Sequence, residues 1–200
     1  MEQSLLIFAK NLIHGRVKTR LAATMGNEAA LAVYTQLLNH TRAVTTALPV
    51  LKTIFYSDFI ESSDMWESQI YNKQLQHGSD LGERMSNAFG HAFNNGIKRT
   101  VIIGTDCFEI TEAIILEAFA HLHSHDVVIG PARDGGYYLL AMKQFHPELF
   151  ERISWSTDQV FNQTIQLCKN LNLSVCLLQV LADVDHEKDL KPFEDQSSSL

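Results

Sequence analysis

Apolar positions in this chain come in short blocks separated by stretches of helical period. Residues 5–9 (LLIFA), 50–56 and 101–103 are brief apolar runs of the kind that fill a strand buried on both faces. Residues 10–26 carry no such pattern and read as loop. From Asn27, Ala30, Val33, Leu37, Thr41 and Val44 recur on one stripe, predicting a helix to about residue 46 that Asn27 can cap. Residues 57–66 are irregular, and 70–76 read as a weaker third strand.

Asp80 with Glu83 three residues on forms a capping box, predicting a helix over 81–93 that Asn94-Asn95-Gly96 ends. Thr111 can cap a further helix to about His123. Residues 126–129 and 137–142 flank a glycine-rich turn. Ser156 and Gln159 give a second capping-box signature for a helix to about Asn170, and residues 174–179 read as a late strand. Strands alternating with helices predict a mainly parallel sheet covered on both faces. One domain over residues 1–194 is expected, with 195–200 as a frayed tail. In such open sheets, ligands bind beyond the carboxyl ends of the strands, so the segments just after strands are where chemistry is expected.

Charge narrows the function classes. The net charge is −7, with 16 Lys+Arg against 23 Asp+Glu. That argues against non-specific nucleic-acid binding, which needs a basic face. No stretch approaches the ~20 apolar residues of a membrane helix. The apolar run at the start is too short for a secretory signal. Three cysteines, Cys107, Cys168 and Cys176, with no C-x-x-C spacing, argue against a disulfide framework. A cytoplasmic protein is the expectation.

The basic residues that exist are concentrated. Lys10, Arg16, Lys18 and Arg20 fall within eleven positions after the first strand, and no acid lies between Lys10 and Glu28. Unpaired like charges on one loop are unfavourable unless an anion compensates, and Lys and Arg suit phosphate oxygens. Gly15 permits a tight turn there. The competing reading is a solvated basic loop. GRVKT fails as a Walker loop, because Val17 stands where Gly must precede Lys18. No G-x-G-x-x-G follows any strand, which disfavours a dinucleotide oxidoreductase.

Asp106 in VIIGTDCF lies just past a buried strand. A carboxylate there fits a hard cation such as Mg²⁺ or Mn²⁺, which takes oxygen ligands together with substrate phosphates. A turn Asp ahead of Thr111 is the alternative. Cys107 beside it reads as a buried, inert thiol. GPARDGGYYLL carries Asp134, Gly135, Gly136 and Tyr137 and fits a ligand-contacting loop, with a plain hairpin turn as the competitor. ADVDHEKDL follows the late strand. A helix start explains Glu187 and Asp189 but not Asp183. Asp183 and Asp185 are therefore candidate partners for Asp106. Two such acids close together should repel and raise one pKa. His121, His123 and His125 at a helix end read as surface histidines, since zinc would need further ligands and none is identifiable.

Taken in order, FAK…GRVKTRL, GSDLGERM…AF, IIGTDC…IT, DVVIGPARDGGYYLL, LFERISWST and L-x-DVDHEKDL resemble a glycosyltransferase-like bacterial family, the radical-SAM/selenodomain-associated transferase 1 group. That group is similar to 2-phospholactate guanylyltransferases and, more distantly, to the nucleotide-diphospho-sugar transferase superfamily. The resemblance spans about residues 4 to 191. It implies a three-layer α/β/α fold with a mostly parallel, mixed sheet, and a metal-dependent transferase. Lys18 and Arg20 would face the nucleotide phosphates, Asp106 and Asp185 (or Asp183) would hold Mg²⁺ or Mn²⁺, and Asp134, Gly135 and Gly136 would line the acceptor or phosphate side. Arg84 would lie near the nucleotide. The chain departs from the family at Asn11-Leu12-Ile13 and at Phe108, where Pro is usual. The implied partners are a nucleotide or nucleotide-sugar donor and a small-molecule acceptor. Glycosyl transfer, nucleotidyl transfer and non-catalytic nucleotide binding all remain open at this point.

Overall fold

A computed structural model describes residues 2–190. The expected tail at 195–200 and the domain end at 194 lie outside the described residues. Seven strands form one sheet: β1 (Gln3–Ala9), β2 (Leu51–Tyr56), β3 (Tyr71–Leu75), β4 (Arg99–Ile103), β5 (Val127–Pro131), β6 (Tyr137–Met142) and β7 (Val175–Leu177). Their spatial order is β3-β2-β1-β4-β6-β5-β7. All neighbours are parallel except β6, which runs antiparallel to both β4 and β5. The sheet is therefore mixed.

Five α-helices connect the strands: α1 (Thr19–Met25), α2 (Asn27–Thr46), α3 (Leu81–Asn94), α4 (Glu112–His121) and α5 (Val160–Asn170). Side-chain alternation along the strands divides the core in two. Leu5, Ile7, Val101 and Ile103 face the layer of α1, α2 and α4. Leu6, Ile102, Leu140 and Met142 face α3 and α5. This is the three-layer arrangement that buries both faces of a mostly parallel sheet.

Several local expectations need correction. Residues 10–26 are not all loop, because Thr19–Met25 is helical. That helix buries only Leu21 and starts from Lys18 in the left-handed conformation (φ 47°), so neither stripe nor cap announces it. Helix α2 is capped by Gly26 rather than Asn27, and its buried stripe includes Tyr34 and Leu38, with Val33 and Val44 only half-buried. The Ser156/Gln159 capping box does not form: Ser156 is left-handed (φ 63°), and α5 begins at Val160 without a side-chain cap. By contrast, Asp80 caps α3 through the Glu83 amide at 2.8 Å, and Thr111 caps α4 through the Ile114 amide at 3.3 Å.

β1 is flanked by β2 on one side and β4 on the other, so the chain reverses its direction of winding between β1 and β4. The carboxyl ends of these two strands, Ala9-Lys10 and Gly104-Thr105-Asp106, open the crevice that such a switch point creates.

Candidate functional site

Three adjoining cavities of about 270, 420 and 370 Å³ meet at this crevice, and Asp106 lines all three. Each element delivers one part. The end of β4 carries Asp106. Helix α1 carries Arg20 and starts from Lys18. The chain leaving β7 runs past the end of β5, where the Arg133 amide bonds the Leu181 carbonyl at 3.0 Å. It then crosses to β4, where the Val184 amide bonds the Asp106 carbonyl at 2.8 Å. That bond brings Asp183 and Asp185 to the same cavity as Asp106.

Lys18 is the centre of the charge arrangement. Its ammonium lies 2.7 Å from Asp106 Oδ1 and 3.2 Å from Asp185 Oδ1, and its side chain is only 4% exposed. Burial opposes the charge, but the two carboxylates outweigh it and hold the ammonium above its usual range. A left-handed lysine costs on the order of 1 kcal/mol or more, and the two ion pairs over-determine it. Arg20 adds a contact to Asp185 Oδ2 at 2.9 Å. Burial raises the Asp185 carboxyl, yet Lys18 and Arg20 prevail and its pKa is lowered.

The expected repulsion therefore falls elsewhere. Asp183 is pushed up to about 7, first by burial and then by the neighbouring carboxylates of Asp106 and Asp134. Lys18 and Arg20 together pair with Asp106 and Asp185, and the more distant attraction of Lys18 only partly offsets the repulsion that Asp183 feels. Asp189 accepts from the amides of Asp185 and His186 at 3.2 and 2.8 Å, which is the helix-start role expected of it.

Other candidates are placed unevenly. Arg84 lines the 420 Å³ cavity, and its Nε donates to the Gly78 carbonyl at 3.1 Å. Asp134, Gly136 and Tyr137 line the 370 Å³ cavity, so the hairpin turn and residues 18–20 border one cleft. Gly135 does not line it. Its φ is +91°, and a Cβ there would lie 2.2 Å from the Asp158 carbonyl oxygen, so it seats the turn against the start of α5. Gly15 and Arg16 do not line the three cavities either. They lie on an outer turn of the loop, and Arg16 pairs with Asp58 at 3.6 Å.

Sequence reasoning passed over several residues lining the cavities. The Tyr34 hydroxyl accepts from the Lys10 amide at 2.8 Å and lies 3.0 Å from Thr105 Oγ1, fixing the ends of β1 and β4. Its place between Ala30 and Leu37/Leu38 on the α2 stripe was the available signal. Trp155, Ser156 and Gln76 also line the cleft, as does Lys10, which the sequence places in the basic loop. Trp155 packs onto α3 where Gly82 leaves room, since a Cβ there would meet its indole nitrogen at 2.1 Å. At Asn11, where the family usually has Pro nearby, the side chain holds the loop instead, bonding the Phe59 carbonyl and the Asp58 amide at 2.9 and 3.0 Å. Phe108 packs against His40 at a tilt of 40°, with ring centroids 4.5 Å apart. Cys107 is buried, and desolvation pushes its thiol up to about 12, which is unlike an activated nucleophile.

The fold is that of the nucleotide-diphospho-sugar transferase class. A candidate nucleotide-diphospho-sugar transferase from Desulfovibrio desulfuricans G20 superposes with a TM-score of 0.88 at 30% identity, covering 98% of this chain and 87% of that one. The inositol-1-phosphate CTP transferase of T. maritima gives 0.62 at 11% identity, over 100% and 95% of the two chains. Rv0371C of Mycobacterium tuberculosis H37Rv, solved in complex with manganese, gives 0.57 at 12% over 100% of both. No curated protein matches the chain. The chain belongs to the bacterial family DUF2064, described as an uncharacterized protein conserved in bacteria, whose pattern matches residues 37–157. Among the described residues, no helix is long and apolar enough to cross a membrane.

Proposed function

We propose that the protein is a metal-dependent transferase that moves a group from a nucleotide or nucleotide-sugar donor to a small-molecule acceptor. The observation that carries this reading is the Lys18 ammonium held between Asp106 and Asp185, with Arg20 beside it, at the switch point of the sheet. The donors named for the related structures, CTP in one case, are consistent with it.

The residue types present suit Mg²⁺ or Mn²⁺, but the three carboxylates are not gathered around one point: the Lys18 ammonium lies between Asp106 and Asp185, and a bound cation would take its place. All three candidate ligands are carboxylates, and the raised pKa of Asp183 marks negative charge that a cation would discharge. Asp106 and Asp185 would hold the ion and Asp183 would add to its field. When bound, the metal supplies charge neutralisation on the donor phosphates and the leaving group. The chain's own residues do the rest. Lys18 and Arg20 stabilise negative charge that develops on the departing phosphate. Arg84 and Gln76 line the cavity that would receive the donor's nucleoside. Asp134 and Gly136 form the opposite wall, where the acceptor would be oriented. Catalysis here is positioning and electrostatics, with no covalent work by the protein.

A melting-temperature screen of nucleoside triphosphates and nucleotide-sugars, with Mg²⁺, Mn²⁺ or chelator, tests the reading. A donor at 100 times its Kd adds about 2.7 kcal/mol. That corresponds to a rise of roughly 5–10 °C for a domain of this size, seen only with metal. No shift with any donor would sink the proposal. Product analysis on the stabilising donor then divides the reactions: a nucleoside diphosphate means glycosyl transfer, and pyrophosphate means nucleotidyl transfer. Binding without turnover would make the protein a non-catalytic nucleotide binder.

A further inference from the structure

The chemistry of the cleft uses neither an imidazole nor a thiolate. At the other end of the sheet, both are gathered. Helix α4 ends at His121, and the turn beyond it keeps one more helical bond, from the His125 amide to the His121 carbonyl at 2.9 Å. Glu117, His121 and His125 therefore stack at successive i, i+4 positions on one face. The Glu117 carboxylate is 3.5 Å from His121 Nε2, and the two imidazoles meet edge to face with centroids 5.8 Å apart.

The third component comes from the edge strand. Cys176 in β7 pairs with Val128 of β5 and packs on the same side of the sheet as α4. One ligand atom from each of His121, His125 and Cys176 lies within 4.8 Å of the others, and all three residues are half-buried. Among the described residues, no other three His, Cys, Asp or Glu side chains are gathered as closely. His123, the remaining member of the H-x-H-x-H run, turns away to Arg99, whose NH1 lies 3.1 Å from its Nδ1.

We propose that His121, His125 and Cys176 form a binding site for a borderline-soft divalent ion, Zn²⁺ above all, remote from the nucleotide cleft. Two imidazoles and a thiolate select zinc over the hard ions expected in the cleft. Tetrahedral zinc, with bonds of ~2.0–2.3 Å, needs ligand atoms about 3.4–3.6 Å apart. The ligand atoms, within 4.8 Å of one another, would have to draw together by up to about 1.4 Å to reach that spacing. His125 Nδ1 lies 3.3 Å from the His121 carbonyl, the outer partner that fixes a metal-bound imidazole with its other nitrogen free. The Glu117 carboxylate, 3.5 Å from His121 Nε2, is, among the described residues, the nearest acidic group to the pair of imidazoles. The ion would tie α4 to β7, which pairs with a single neighbour over three residues. That strand leads directly into the segment carrying Asp183 and Asp185.

Cobalt titration of the full chain, free of any histidine tag, tests the site, because a Co²⁺–thiolate bond has its own charge-transfer absorption. One equivalent of Co²⁺ should produce that band and tetrahedral visible absorption. Zn²⁺ should abolish both, and excess Mg²⁺ should leave them. Cys176→Ser should lose the band, and His121→Ala or His125→Ala should weaken binding by at least about tenfold. Asp106→Asn should leave the band unchanged, which separates this site from the cleft. Because Cys176 is half-buried, serine replaces it without opening a core cavity, and melting in chelator verifies that each variant is folded. No band in the parent, or a band that persists in Cys176→Ser, would overturn the proposal.

Discussion

The two ends of this sheet are built from different chemistry. At the carboxyl end, Asp106, Asp183, Asp185, Lys18 and Arg20 converge: carboxyl oxygens and fixed cations. At the other end, His121, His125 and Cys176 converge: neutral nitrogen and sulfur. The carboxyl end is electrostatically loaded. It holds a lysine in a left-handed conformation and an aspartate far from its usual pKa. At the far end none of the three residues has a left-handed backbone, and burial with the nearby Glu117 carboxylate pushes the Cys176 thiol up. If both proposals hold, a site for a charged, exchanging ligand shows itself by internal tension, whereas a site for a resident ion shows itself mainly in geometry.

The largest expected effect is at the loaded end. Asp106→Asn keeps shape and hydrogen bonding but removes a charge from the cleft. Metal-dependent turnover should fall by about 10³-fold, while stability changes by under ~1 kcal/mol, because the Asp106 side chain is 41% exposed. A variant with full activity would return Asp106 to a turn role, and the contrast between the two ends would lose its functional meaning.

Lys18→Ala and Arg20→Ala come next, and the structure separates them. Lys18 is buried between two carboxylates, so its loss should cost about 10²-fold in kcat/KM and also destabilise the fold by roughly 1–2 kcal/mol, discounted for the exposure of the two acids. Arg20 is 63% exposed, so its loss should cost about tenfold in kcat/KM and leave the melting temperature almost unchanged. Kinetics together with melting curves check both. Equal behaviour of the two variants would mean that Lys18 is not the keystone its geometry makes it.

How legible this was in the sequence depended on how local the signal is. Buried strands and the Asp80 and Thr111 caps were readable because their causes lie within a few residues. The cleft acids were readable because they follow strands and break the helix-start pattern. Helix α1 was not, because one buried leucine and a left-handed lysine leave no local trace. Ser156/Gln159 misled because tertiary placement of Trp155 and Ser156 overrode the cap. The histidine cluster was invisible as a site because its third ligand lies 51 residues beyond His125, on a three-residue strand, where only the β5–β7 register brings it near.

The smallest effect concerns Asp183, and it tests the tension itself. Its carboxyl is raised from an ordinary 3.8 to about 7, by burial first and by Asp106 and Asp134 next. A raised folded-state pKa means that the folded protein binds this proton more tightly than the unfolded chain. The associated stability is fully present below pH ~4 and is lost as pH rises toward 7. Above pH 7 the folded state carries a charge it would rather not hold. Asp183→Asn cannot ionise, so it escapes that loss. Relative to the parent, it should be neutral near pH 4 and more stable by roughly 1–2 kcal/mol at pH 8, a figure reduced from the full shift because Asp183 is only half-buried. Millimolar Mg²⁺ should shrink the gain by stabilising the parent, since the cation discharges the same repulsion. Denaturation midpoints of both proteins from pH 4 to 8, with and without Mg²⁺, measure this directly. If the difference between them is flat across that range, Asp183 carries no trapped charge. The loaded end of the sheet would then be as relaxed as the other.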